Sequence, residues 1–144
     1  MSDNYPYYPS VAIIVITFNG RHHLARCLPS LLKTDYPNFR VILVDNASTD
    51  GSAEFVSENF PTVSIVRHPQ NFGFAKGNNI AIASCLAEGL DYIFLLNDDT
   101  ELLAPTWLAA AIRLCEGNPR VGMVGFLLTN DPDEIGRASC RERV

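Results

Sequence analysis

An apolar run that ends in an amide and two carboxylates is the part of this 144-residue chain with the clearest chemical potential: Tyr92-Ile93-Phe94-Leu95-Leu96-Asn97-Asp98-Asp99-Thr100. Carboxylates beside a core are costly unless something compensates them, and a bound divalent cation is one compensator. Acids also end strands as turn formers or helix caps, so this run alone leaves both readings open. A second run, Val41-Ile42-Leu43-Val44-Asp45-Asn46-Ala47-Ser48-Thr49-Asp50-Gly51, repeats the design: an apolar strand, an acid at its end, then turn residues. Two acid-tipped strands in one short chain point to a nucleotide–metal site at the edge of an α/β sheet.

Asn97 and Asp99 flank one residue at a strand terminus, so both side chains can turn toward one site. Their oxygens suit Mg²⁺ or Mn²⁺, which would bridge the two phosphates of a nucleotide-sugar donor and stabilise the diphosphate as the sugar leaves. Asp45 could accept a hydrogen bond from the imide N–H of uracil or thymine, or simply close an Asx turn. Thr17 and Asn19 could contact the base, or do no more than turn the chain. A third segment, Asn71-Phe72-Gly73-Phe74-Ala75-Lys76-Gly77-Asn78-Asn79, combines a glycine loop, a cation and two amides where a helix begins. Helix-start amides and Lys76 could face donor phosphate or ribose; the alternative for Lys76 is an exposed lysine among Asn caps.

Other chemistries lack their motifs. No G-x-G-x-x-G follows the first strand, and there is no G-x-x-x-x-G-K-[ST] and no G-x-S-x-G. His22, His23 and His68 are scattered and read as surface or helix-start residues.

The elements that must position these clusters follow from apolar periodicity. Val11-Ala12-Ile13-Ile14-Val15-Ile16-Thr17 is a continuous, largely β-branched run suited to a central parallel strand. Leu24, Leu28, Leu31 and Leu32 then recur at helical spacing, with Pro29 expected to kink or restart that helix. Strands are expected over 40–45, 63–67 and 92–97, and a fifth over 121–127. Helices are expected over 52–59 and 74–88, with Ile82 and Leu86 on one face of the second and Gly89 as its stop. A last helix has Pro105 in its first turn and runs to about Glu116. Strands alternating with helices, without hairpin signals, imply βαβ crossovers and a parallel sheet. In such sheets ligands sit beyond the carboxyl ends of the strands, where Thr17-Phe18-Asn19-Gly20, Asp45-Asn46-Ala47-Ser48 and Asn97-Asp98-Asp99 all fall.

Composition sets outer bounds. The length suffices for one domain with a proper core, and a net charge of −5 argues against a general nucleic-acid binder. Cys27, Cys85, Cys115 and Cys140 form no C-x-x-C pair, so structural zinc is not expected; the first three fall in helices as buried thiols. The start has no secretory signal pattern and no run is long enough to span a bilayer, so a soluble cytoplasmic domain is expected. Residues 134–144, EIGRASCRERV, back-translate to a DNA string resembling a sequencing-library adapter read as coding sequence. We therefore expect the natural sequence to depart near Asp133 and to continue differently, and Cys140 and the tail arginines carry no functional argument.

The motifs V-I-T-F-N-G, V-D-N-A-S-T-D-G-S, N-F-G-F-A-K-G-N-N and L-L-N-D-D-T, in this order and spacing, resemble family 2 glycosyltransferases, with closest similarity to the rhamnosyltransferase-like branch. The resemblance covers nearly all of residues 11–128 and implies a GT-A fold: an open, mainly parallel sheet flanked by helices, here truncated. It implies an inverting transfer from a dTDP- or UDP-linked sugar to a saccharide or lipid-linked acceptor in surface polysaccharide synthesis. It places residues 11–133 in the nucleotide-sugar-binding part, after an N-terminal extension over 1–10. Donor contacts are implied for Thr17, Phe18, Asn19, Asp45, Ser48, Phe72, Gly73, Lys76, Asn78 and Asp98, and metal contacts for Asn97 and Asp99. Asn97 stands where many members have aspartate, the N-x-D variant of this branch. The family's general base comes from a later, acceptor-binding half. Nothing after Leu128 resembles it, and Asp131 and Asp133 sit at the break, so the catalytic base is unassigned and the isolated chain is expected to bind donor weakly and transfer little. Peripheral association with the inner face of a membrane would come through regions outside the chain. The alternatives are a non-catalytic nucleotide-binding module, in which Asp45 and Asp99 only form turns, and a sugar nucleotidyltransferase, for which Thr17-Phe18-Asn19-Gly20-Arg21 is a poor match.

Overall fold

The computed structural model describes residues 7–126 and residue 128. Four strands, β1 (Val11–Thr17), β2 (Phe39–Asp45), β3 (Ser64–Arg67) and β4 (Tyr92–Asn97), form one sheet in the order β3-β2-β1-β4. Every pairing is parallel, and the register sets Thr17 beside Asp45 and Ile16 beside Asn97. Four helices connect and flank them: α1 (Arg21–Leu31), α2 (Ser52–Asn59), α3 (Gly73–Ala87) and α4 (Trp107–Gly117).

The composition of β1 follows from its place. It lies between β2 and β4, which satisfy its edges, and helices pack on both its faces, so all seven residues are buried. Val11, Ile13 and Val15 enter a larger core with Leu24, Leu28 and Leu31 of α1, Val56 of α2, and Trp107, Leu108 and Ile112 of α4. Ala12, Ile14 and Ile16 enter a smaller one with Ala81 and Cys85 of α3. A polar residue at any of these positions would meet apolar neighbours on either side, which is why the strand shows no alternation.

The chain steps from β1 out to β2 and β3, and α3 then carries it back across the sheet to β4 on the other side of β1. That reversal separates the loops after β1 and β4, which opens a crevice at their carboxyl ends.

Several local expectations are corrected. Pro29 lies inside α1, which runs unbroken to Leu31. The proline leaves only the carbonyl of Ala25 without its helical donor, and Ala25 is exposed to water. Helix α3 buries Gly77, Asn78, Ala81 and Cys85, while Leu86 is 63% exposed and Ile82 only partly covered. Small residues let the helix approach the sheet closely there. Gly89, at φ 76, does follow the end of that helix in the left-handed conformation. Helix α4 begins at Trp107, so Pro105 precedes it; the Pro105 carbonyl instead accepts the Asp35 amide. Residues 121–126 form no strand; Phe126 packs edge-on against Phe94 of β4 and Trp107. Cys27 and Cys85 are buried free thiols and Cys115 is partly buried; Cys140 lies outside the described residues.

Candidate functional site

The carboxyl ends of β1 and β4 and the start of α3 enclose a cleft of about 290 Å³, lined by Ile16, Thr17, Phe18, Asn46, Asn71, Gly73, Phe74, Asn97 and Asp98. Five of the residues singled out by the sequence meet here: Thr17, Phe18, Gly73, Asn97 and Asp98. Phe18 and Phe74, at 51% and 56% exposure, leave two aromatic surfaces open to a ligand.

Asp98 is held in place from β1. The Thr17 hydroxyl donates to Asp98 Oδ2 at 2.6 Å, across 81 residues of sequence. Gly20 makes room for this contact, since a Cβ there would lie 2.0 Å from Asp98 Oδ2 and 2.4 Å from Thr17 Oγ1. Its backbone, φ −104 and ψ 23, is open to any residue, so space rather than conformation demands glycine.

A second set of bonds ties the loops after β1 and β2. Asn19 takes a φ of 55, donates its amide to Ser48 Oγ at 2.9 Å, and accepts the Thr49 amide on Oδ1 at 2.8 Å. The Arg21 amide donates to Asp50 at 3.1 Å. Asp45, 4% exposed, accepts the Ser48 amide at 2.9 Å and closes the turn that contains Ala47 at φ 67. Asn19, Asp45 and Ser48 therefore shape the loops and do not line the cleft.

Burial raises the pKa of Asp50, but hydrogen bonds from Ser52 and the Arg21 amide outweigh it and hold the carboxyl below its usual 3.8. A depressed folded value means the stabilisation is present above the unfolded pKa and is lost as pH falls through the folded one. Asp50→Asn should accordingly lower stability at pH 7, with the deficit shrinking below about pH 3.8; denaturant melts at pH 7 and pH 3 check this.

The third segment reaches the cleft only in part. Asn71, Gly73 and Phe74 line it, with Gly73 at φ 75. Phe72 and Lys76 pack on each other, the ammonium 4.4 Å from the ring centroid, outside that lining. Asn78 is 2% exposed, donates to the Phe74 carbonyl at 3.0 Å, and does not line the cleft; its Oδ1 is buried without a partner.

His68 is a correction: it is buried, at 8% exposure, with Nδ1 3.0 Å from Asn46 Oδ1. His22 and His23 are exposed at the start of α1, as the sequence suggested. Burial, reinforced by Asp98, Asp99 and Glu101, pushes the Cys27 thiol up to about 12, which disqualifies it as a nucleophile at neutral pH.

Asp99 parts from its neighbours. Its side chain opens onto a small adjoining crevice with His23, Arg26, Cys27, Thr100 and Glu101. Arg26 is paired with Glu101, and among the described residues no cation pairs with Asp98 or Asp99. The oxygen donors of Asn97, Asp98 and Asp99 have the hard chemistry that suits Mg²⁺ or Mn²⁺, but Asn97 and Asp98 line the cleft and Asp99 the crevice beside it, so the three do not face one cavity. No group of three or more His, Cys, Asp and Glu gathers as a metal cage among the described residues, so phosphates and water would complete such a shell.

Gly20, Asn46, Asn71 and Phe74 carry no assigned role in the sequence reading, although each lies within a motif it singled out. Their neighbours were the signal; their contacts were not.

A model of the family described as Glycosyl transferase family 2 matches residues 12–141. N-acetylglucosaminyl-diphospho-decaprenol L-rhamnosyltransferase of Mycobacterium tuberculosis is 30% identical over 140 residues, covering 90% of this chain and 44% of its own length. The O-antigen biosynthesis protein RfbC of Myxococcus xanthus is 34% identical over 126 residues, covering 83% of this chain and 9% of its own. Among solved structures, the mannosyltransferase PcManGT from Pyrobaculum calidifontis, in complex with GDP-Man and Mn²⁺, superposes with a TM-score of 0.73 at 28% identity, covering 81% of this chain and 35% of that one. The chain thus spans less than half the length of the relatives it matches.

Proposed function

The chain belongs to glycosyl transferase family 2 and has the GT-A fold, and from that premise we propose that it is the nucleotide-sugar-binding part of an inverting glycosyltransferase. The donor would be a dTDP- or UDP-linked hexose and the acceptor a saccharide or lipid-linked sugar in surface polysaccharide synthesis. The observation that carries this reading is the cleft at the strand-order reversal, where Thr17, Gly73, Asn97 and Asp98 converge from three distant segments.

In this reading Phe18 lies against the nucleobase, and Asp45, Asn19 and Ser48 hold the loops that receive it. The start of α3, where Asn71 Oδ1 already accepts the Gly73 amide, would face the diphosphate with its remaining first-turn amides, and Lys76 would add charge from the same turn. Asp98, oriented by Thr17, accepts hydrogen bonds from donor ribose or sugar hydroxyls. Asn97 and Asp99 would hold a divalent cation, which would supply charge neutralisation for the departing diphosphate. Transfer joins an acceptor oxygen to the anomeric carbon as the bond to phosphate breaks, and the acceptor proton passes to a base from the acceptor-binding half of the longer enzyme. No helix among the described residues is long and apolar enough to cross a membrane. We place the protein at the cytoplasmic side, with any membrane contact made by other regions.

Calorimetric titration of the chain with UDP, dTDP and GDP, with and without Mn²⁺, tests the reading. Mn²⁺-dependent binding of at least one, with little or no sugar transfer by the chain alone, is the expected result. Absence of binding to all three overturns it.

A further inference from the structure

Asn46 is polar, 3% exposed and lines the cleft, a combination that needs a reason. Its side chain joins three groups of the segment that precedes α3. Nδ2 donates to the Gly73 carbonyl at 3.1 Å, Oδ1 accepts the Phe72 amide at 3.3 Å, and Oδ1 lies 3.0 Å from His68 Nδ1. These partners settle the chemistry of both residues. The amide nitrogen must face Gly73 because only a donor can satisfy a carbonyl, so the oxygen faces Phe72 and His68. His68 then carries its proton on Nδ1. Its Nε2 is buried without a partner, so the ring has no other described hydrogen bond to satisfy on that side.

The packing around Asn46 points the same way. A Cβ at Gly77 would lie 3.2 Å from Asn46 Nδ2, 3.3 Å from its Oδ1 and 2.6 Å from Ile16 Cδ1. A glycine one turn into α3 thus admits the amide between β2 and the helix. The Asn46 backbone amide also donates to the Thr17 carbonyl at 2.9 Å, which ties the same residue to the strand that orients Asp98.

We propose that Asn46, seated against Gly77 and braced by His68, is a positioning residue that holds the start of α3 against the cleft and so sets diphosphate affinity. The inference rests on the donor-binding reading above. Asn46 touches no reacting atom in it; it acts through the Phe72–Gly73 backbone. A loop that occupies its binding position only a tenth of the time weakens apparent affinity about tenfold.

Asn46→Asp is the decisive variant. It keeps an acceptor for Phe72 and His68 but turns a carboxylate oxygen toward the Gly73 carbonyl, where a donor is needed. Gly77→Ala perturbs the same seat without removing a polar group, and guards against a fold defect peculiar to the first variant. Affinity is read by calorimetry with Mn²⁺ and whichever of UDP, dTDP or GDP the parent binds, beside hydrogen exchange at the Phe72 and Val15 amides. The expected result is about tenfold weaker binding in both variants, with faster exchange at Phe72 and unchanged exchange in central β1. Equal affinity in parent and both variants overturns the inference and leaves the donor-binding reading intact. So does a loss of affinity matched by equal acceleration at Val15, since that marks global destabilisation. A parent that binds none of the three nucleotides overturns the donor-binding reading, and this inference with it.

Discussion

Gly20→Ala should lower Mn²⁺-dependent donor affinity by roughly tenfold to a hundredfold while the protein still melts cooperatively near the parent temperature. The added methyl would overlap Asp98 Oδ2 at 2.0 Å and Thr17 Oγ1 at 2.4 Å. Backbone conformation offers no resistance at φ −104, and exchanging glycine for alanine at a helix N-cap costs about 1 kcal/mol or less. The overlap is relieved most easily by rotating Asp98, because a half-buried carboxylate moves more readily than the backbone of β1 or α1. Rotation takes the carboxylate out of the cleft and breaks its bond to Thr17. A hydrogen bond to a charged group contributes about 1.5–3 kcal/mol, the origin of the range given. Thr17→Val removes the same bond without a clash and should fall in the same direction by a smaller factor. Titration and thermal melts of the two variants check the pair. Parent-like affinity in Gly20→Ala would show that Asp98 is not a donor contact.

The two carboxylates after β4 should separate by metal dependence. Asp99→Asn is expected to abolish the gain in donor affinity from Mn²⁺, matching the effect of chelator on the parent, a loss of more than about a hundredfold if one ligand is removed outright. Asp98→Asn should weaken binding with and without Mn²⁺, because the Thr17 contact can persist while the acceptor toward the ligand loses its charge. Asp99 lines the adjoining crevice, where Arg26 is paired with Glu101, so among the described residues no cation pairs with Asp99. Manganese-induced broadening of the amide resonances of residues 97–99 gives a second readout, independent of nucleotide. Broadening that survives Asp99→Asn but vanishes in Asp98→Asn would reverse the two assignments.

How far the sequence reached depends on how local each question was. The runs 11–17 and 92–97 appear as β1 and β4 with those bounds; β1 is apolar because both its faces are buried, whereas β4, at the edge of the described sheet, buries only Leu96. Residues 52–59 appear as α2, and α3 begins one residue before its expected start. The strand expected at 121–127 is absent over the described residues 121–126, because apolar composition permits a strand but does not supply a neighbour; Phe126 stays 37% exposed beside the rings of Phe94 and Trp107. Leu86 shows the same limit, since periodicity gave a face of α3 but not the face turned to the sheet.

By itself the sequence determined the α/β class, the polar clusters at the ends of strands, and the family to which their order belongs, because spacing along the chain is enough to place an acid at a strand terminus. Only the tertiary structure decided which of those polar groups line the cleft and which are tied up in the fold. Strand order brings Thr17 to Asp98, sends Asp99 to a separate crevice, and buries His68 against Asn46. The Thr17–Asp98 and His68–Asn46 pairings join residues far apart in sequence, fixed by the sheet that crosses between them, whereas the Asp45 turn is local and was already open to the sequence.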